Sequence, residues 1–114
     1  LNNSRSKLMC RNPDLPGPLR SIQRYIRALH CLTRWNIIRC IGTGEKSTKE
    51  IYEQLRLGEE MSPAGLYYHL SALKQAGIVE LASYREVKGG TPEKVWKLKT
   101  RRIVIDLLEA NEVE

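Results

Sequence analysis

The chain has 114 residues, 41% of them hydrophobic, which allows one small core and not two. Its formal charge is +6, so its natural partners are polyanions, chiefly nucleic acid or an anionic surface. No run of 18 apolar residues exists, so no membrane span is expected, and three cysteines without a CxxC pair exclude a disulfide framework.

The charge is unevenly placed. Residues 1–34 carry seven basic groups and one acid, and residues 62–102 carry eight and three. Residues 103–114 carry four acids and no base. A generally solvated surface would mix these signs.

Residues 1–18 read as a flexible tail, because polar residues give way to Pro13, Pro16, Gly17 and Pro18. One folded domain is expected over 19–111. A first helix over 19–31 is predicted by Leu19, Ile22, Tyr25, Ile26 and Leu29 at helical spacing, with Arg20, Arg24 and Arg27 on the other side. Thr33 suits the cap of a second helix carrying Trp35, Ile37, Ile38 and Ile41, ended by Gly42 and Gly44. Ser47 and Glu50 form a capping box that opens a third helix, with Ile51, Tyr52 and Leu55 inward and Gly58 as its stop. Ser62 followed by Pro63 opens a fourth, whose Leu66, Leu70 and Leu73 form one stripe up to Gly77. Two strands follow, over 78–87 and 94–99, around a turn containing Gly89 and Gly90. A last helix over 102–111 places Ile103, Val104, Leu107 and Leu108 on one stripe.

The predicted fold is mainly α with a small β-hairpin, a winged helix-turn-helix with a C-terminal helix. A helix fits the DNA major groove, and a basic hairpin straddles the neighbouring backbone. His69-Leu70, Leu73 and Ala76-Gly77-Ile78-Val79 resemble the end of the recognition helix and the first wing strand of the arsenic-repressor-like (ArsR-type) winged-helix family. Thr33-Arg34, with Ile37 and Ile38, is similar to that family's helix start, with Leu32 in place of its proline. Thr48-Lys49-Glu50-Ile51 is similar to the helix before the recognition helix. The resemblance spans roughly residues 20–108 and implies a DNA-binding homodimer that regulates transcription. Two departures stand out. The turn from Leu57 to Ser62 is longer than usual, and the Cys-x-Cys pattern of the metal sensors is missing. No metal, cofactor or small-molecule effector is therefore expected.

With the leucines inward, a 100° step per residue puts Ala64, Tyr68, Ser71 and Gln75 outward, flanked by Tyr67 and Lys74. These side chains suit base edges and phosphates, while Ser62, Ala64 and Gly65 at the helix start suit a phosphate. In the wing, Arg85, Lys88, Lys94 and Lys97 supply charge, and Gly89 and Gly90 permit close backbone approach. The alternatives are tyrosines that only complete the packing and a solvated hairpin tip. His69 is expected to be structural.

Dimerisation is assigned to the end helices, because Ile22, Tyr25, Ile26 and Leu29 with Ile103, Val104, Leu107 and Leu108 exceed what a three-helix core covers. The family resemblance implies the same interface. Gly42–Thr48 superficially resembles a phosphate loop, but Glu45 separates Gly44 from Lys46, so it reads as a connection. His30, Cys31 and Cys40 lack the spacing of a zinc module. No paired carboxylates or nucleophile–base set stands out, so no enzyme is expected. The reading is a sequence-specific regulator of double-stranded DNA acting on a palindromic site, in a prokaryotic cytoplasm. Its rivals are a non-specific architectural DNA-coating protein and a winged-helix module for protein assembly.

Overall fold

The computed structural model describes residues 17–108. Its elements are α1 (Gly17–Leu29), α2 (Leu32–Ile41), β1 (Glu45–Ser47), α3 (Thr48–Gln54), a 3-10 turn (Leu57–Glu59), α4 (Pro63–Gln75), β2 (Val79–Arg85) and β3 (Glu93–Leu98). No helix among the described residues is long and apolar enough to cross a membrane.

α1 begins two residues before the expected Leu19. Pro18 falls in its first turn, where a missing N–H leaves no hydrogen bond unmade. Ala28 is buried, Tyr25 and Leu29 pack against the core, and Ile26 is 54% exposed. α2 starts at Leu32 rather than after Thr33, its N-cap Cys31 giving no side-chain cap. Trp35, expected on the apolar face, is 44% exposed. Its Nε1–H donates to the Leu29 carbonyl at 2.7 Å, satisfying an orphan acceptor at the end of α1. Ile37 and Ile41 carry the burial instead.

The capping box forms as expected. The Glu50 N–H donates to Ser47 Oγ at 3.1 Å, and the Ser47 N–H donates to Glu50 Oε1 at 2.8 Å. α3 stops at Gln54, four residues before Gly58. Arg56 adopts φ 53°, and the 3-10 turn then drops Leu57 into the core. The long turn noted in the sequence is therefore a packed element. Tyr52 braces it by donating its hydroxyl to the Met61 carbonyl at 2.7 Å. α4 opens as expected, with Ser62 Oγ accepting from the Gly65 N–H at 3.3 Å, and Leu66, Leu70 and Leu73 wholly buried.

Two expectations need correction. The hairpin is part of a three-stranded antiparallel sheet in the order β1-β3-β2. Glu45, Lys46 and Ser47, read as connection, pair with Lys97, Trp96 and Val95. A three-residue strand has no period to detect, so only its partner defines it. The C-terminal helix is also not formed over its described part. Residues 102–108 run irregularly, and 109–111 lie outside the described residues. Ile103, Val104 and Ile105 are consecutive β-branched residues, which disfavour a helix. Ile103 and Ile105 line an apolar cleft of about 500 Å³ with Tyr25, Ile26, Leu29 and Trp35, while Val104 points out at 65% exposure. That is the period of an extended chain, not of a helix.

The core joins Ile37, Ile41, Ile51, Leu57 and the α4 leucines to Ile78, Val79 and Trp96. Trp96 is 1% exposed, and its Nε1–H donates to Thr48 Oγ1 at 2.9 Å. The same hydroxyl donates to the Lys94 carbonyl at 3.4 Å. Thr48→Val keeps the shape and orphans the buried indole N–H. The expected cost is about 1–3 kcal/mol, read as a lower urea midpoint at unchanged slope; an unchanged midpoint refutes this role for the hydroxyl.

Candidate nucleic-acid interface

α4 presents a polar outer face because its leucines take the inner one. Ala64, Tyr68 and Gln75 are exposed and Ser71 is half-buried, as the helical step predicts. Tyr67 and Lys74 are exposed beside them. At the helix start, Ser62 and Ala64 are exposed and Gly65 is half-buried. Its N–H is taken by the Ser62 cap. A Cβ there would lie 3.2 Å from Met61 Cβ, a tight contact that Met61 would have to yield to.

The two tyrosines are held differently. The Tyr67 ring stands edge-on to Trp96 with centroids 6.4 Å apart, and Lys94 Nζ lies 4.5 Å from its centroid. Lys94 and Tyr67 thus form one unit between α4 and β3. They border a groove of about 420 Å³ with Lys49, Val87, Thr91 and Glu93. Glu93 turns its carboxylate to the start of α3, accepting from the Lys49 N–H at 3.0 Å. Tyr68 is 66% exposed, and the Arg34 guanidinium lies 5.8 Å from its centroid.

The expected wing cations separate. Lys88, Gly89 and Gly90 are exposed at the tip, where Gly89 has φ +76° and the Gly90 N–H donates to the Val87 carbonyl at 3.1 Å. Arg85 is paired instead with Glu50 at 3.1 Å. The Ser47 N–H and Arg85 together lower the Glu50 pKa. Lys97 alternates to the strand face opposite Trp96 and lies 4.0 Å from Glu80, with Glu45 its neighbour in β1. The structure therefore leaves Lys94 beside α4 and Lys88 exposed at the wing tip, and engages Arg85 and Lys97 with acids.

The cations that sequence reading missed lie on the other flank of α4. Arg24 and Arg27 of α1 and Arg34 of α2 line a groove of about 510 Å³ with Tyr68, Ala72 and Gln75. The basic side of the first helix was the signal in the sequence, but only the fold sets it beside α4.

Of the residues assigned to dimerisation, Tyr25 and Leu29 pack on the chain's own core, and Ile22 and Ile103 are half-buried. Ile26, Val104, Leu107 and Leu108 are exposed. Burial raises the Cys40 thiol pKa, and its Sγ meets Gln54 Oε1 at 3.4 Å.

His69 is structural in the geometry. Its Nδ1 accepts from Arg34 Nε–H at 3.1 Å, while Arg34 Nη1 donates to the Ala28 carbonyl at 3.2 Å. An accepting Nδ1 carries no proton. Burial, and then the Arg34 charge, hold the His69 pKa below the ordinary 6.5. The unfolded chain therefore takes up a proton at a pH where the folded one does not. This contribution to stability is complete above the ordinary value and declines as pH falls below it. Melting temperature should drop from about pH 7 to about pH 5, and His69→Gln, which keeps an acceptor but does not titrate, should flatten that drop. Parallel profiles for the two proteins would count against it.

Residues 33–82 match the family model for a helix-turn-helix domain. No curated protein matches the sequence. Among solved structures, the chain is similar to a possible transcriptional regulatory protein of Mycobacterium bovis, fragment 1–100. That match has 24% identity and TM-score 0.58, and it covers 74% of this chain and 80% of the other. It is also similar to the solution structure of Mb0332 from the same organism, described as a homodimeric winged helix-turn-helix DNA-binding domain and a possible ArsR-family regulator. There the identity is 22% and the TM-score 0.57, covering 78% of this chain and 77% of that one. HlyU of Vibrio cholerae matches with 20% identity and TM-score 0.57, covering 75% of this chain and 83% of that one. Local caps, the three-stranded sheet and these comparisons agree: the chain folds as a winged helix-turn-helix, and its residues 33–82 are similar to a helix-turn-helix domain.

Proposed function

We propose that the chain is a transcriptional regulator that binds double-stranded DNA as a homodimer, reading a palindromic site through α4 and holding the backbone with its wing. The observation that carries this is the outer face of α4. Tyr68, Ser71 and Gln75 supply hydrogen-bonding groups there, Lys88 and Lys94 lie on the wing side, and the helix itself is rigidly backed by three buried leucines. Such a face is suited to base edges, and its flanks to phosphates. The same winged-helix frame occurs in the M. bovis domain described as homodimeric and DNA-binding. Nothing in this site resembles a catalytic group set, so the activity is binding.

The homodimer is supported by the exposed apolar residues Ile26, Val104, Leu107 and Leu108, with Ile26 bordering the apolar cleft that Ile103 and Ile105 also line. A two-fold pairing there sets two copies of α4 on successive turns of the same face of a duplex. On this reading the protein works in the cytoplasm and takes no small-molecule effector.

Selection from a random duplex library, followed by titration at about 50 mM and about 200 mM salt, tests the reading. One palindromic motif should be enriched and bound about 10³-fold or more above scrambled duplex. Tyr68→Ala should relax the motif, whereas Lys88→Ala should weaken all duplexes alike and reduce the salt slope by about 1 per protomer. Tight binding without a motif means a DNA-coating protein; no binding at low salt means a protein partner. Ile26→Glu should raise the dimer dissociation constant at least about tenfold, about 1.4 kcal/mol, by sedimentation equilibrium. An unchanged constant removes α1 from the interface.

A further inference from the structure

The outer face of α4 has a cation cluster on the side away from the wing. Arg24 and Arg27, one turn apart on α1, are exposed there, and Arg34 reaches in from α2. Among the described residues, no acidic side chain lines their groove. Arg34 is fixed: Nε donates to His69, Nη1 donates to the Ala28 carbonyl, and the guanidinium carbon lies 5.8 Å from the Tyr68 ring centroid. Three guanidinium groups around one groove repel one another, and an anion seated among them relieves that repulsion. Their planar forks match phosphate oxygens.

An α-helix with its side chains is about 10–12 Å across, and the major groove is about 12 Å wide. A helix lying there fills it, and both neighbouring walls are phosphate backbones. The Lys94 groove faces one wall. The geometry points to the Arg24–Arg27–Arg34 groove as a second phosphate-binding site, which holds the opposite strand of the duplex. This rests on the proposal that α4 lies in the major groove. It gives α1 a role in DNA binding besides dimerisation and makes Arg34 a positioning residue for Tyr68.

The test is the double variant Arg24→Gln/Arg27→Gln in the full chain, titrated with the selected duplex over a salt series. Each lost phosphate contact removes about 0.9 from the slope of log K against log salt, so a fall of about 2 per protomer, about 4 for the dimer, is expected. The enriched motif and the melting temperature should not change. Within each half-site, phosphate-ethylation interference should lose its signals on one strand and keep them on the other, with the strands exchanged across the two-fold axis. Arg24→Lys/Arg27→Lys should retain the slope. An unchanged slope and footprint, with Lys88→Ala still lowering the slope, overturns the second site and leaves the α4 reading standing. A double variant that loses its melting transition shows a folding role instead, and likewise overturns it. If the wild-type chain binds no duplex at all, the α4 reading fails and this site fails with it.

Discussion

The buried indole of Trp96 holds the wing to the helices. It is 1% exposed, so its Nε1–H has no access to water and requires a protein acceptor. Thr48 Oγ1 provides one, and the same oxygen donates onward to the Lys94 carbonyl of β3. One hydroxyl therefore fixes the start of α3 against the middle of the sheet. Tyr67 packs edge-on against the same indole, and Lys94 lies over Tyr67. The relative position of α4 and the wing thus follows from one satisfied polar group in the core.

α4 serves two surfaces with one helix. Its leucines are wholly buried, which leaves no freedom for the helix to roll. Its outer residues then have fixed directions. The caps at its start and the 3-10 turn before it fix its entry, with Leu57 anchored in the core and Tyr52 bonded to Met61. A rigidly set outer face is what a reader of base edges needs, since a small displacement breaks hydrogen bonds.

Charge is sorted by pairing rather than by position along the chain. Arg85 and Lys97 belong to the basic segment 62–102, yet each meets an acid brought by another strand or helix. Lys88 is exposed at a turn fixed by Gly89, and Lys94 is held over an aromatic ring. The arginines of α1 become neighbours of Tyr68 and Gln75 only because α1 packs across α2. The cations flanking α4 are therefore a property of packing.

By itself the sequence determined the local elements. Ser47 with Glu50, and Ser62 with Pro63, are signals between residues a turn apart, and both caps formed where they stood. The leucine stripe and the two wing strands followed from periods contained in one contiguous segment. The tertiary structure alone decided β1, the packed turn at Leu57, the irregular course of 102–108 and which cations remain beside α4. β1 and the pairing of Arg85 depend on partners far along the chain, Val95 for Ser47 and Glu50 for Arg85. A cap or a stripe is fixed by its own segment's hydrogen bonds and spacing. A strand pairing or an ion pair is fixed by what the rest of the chain brings to it.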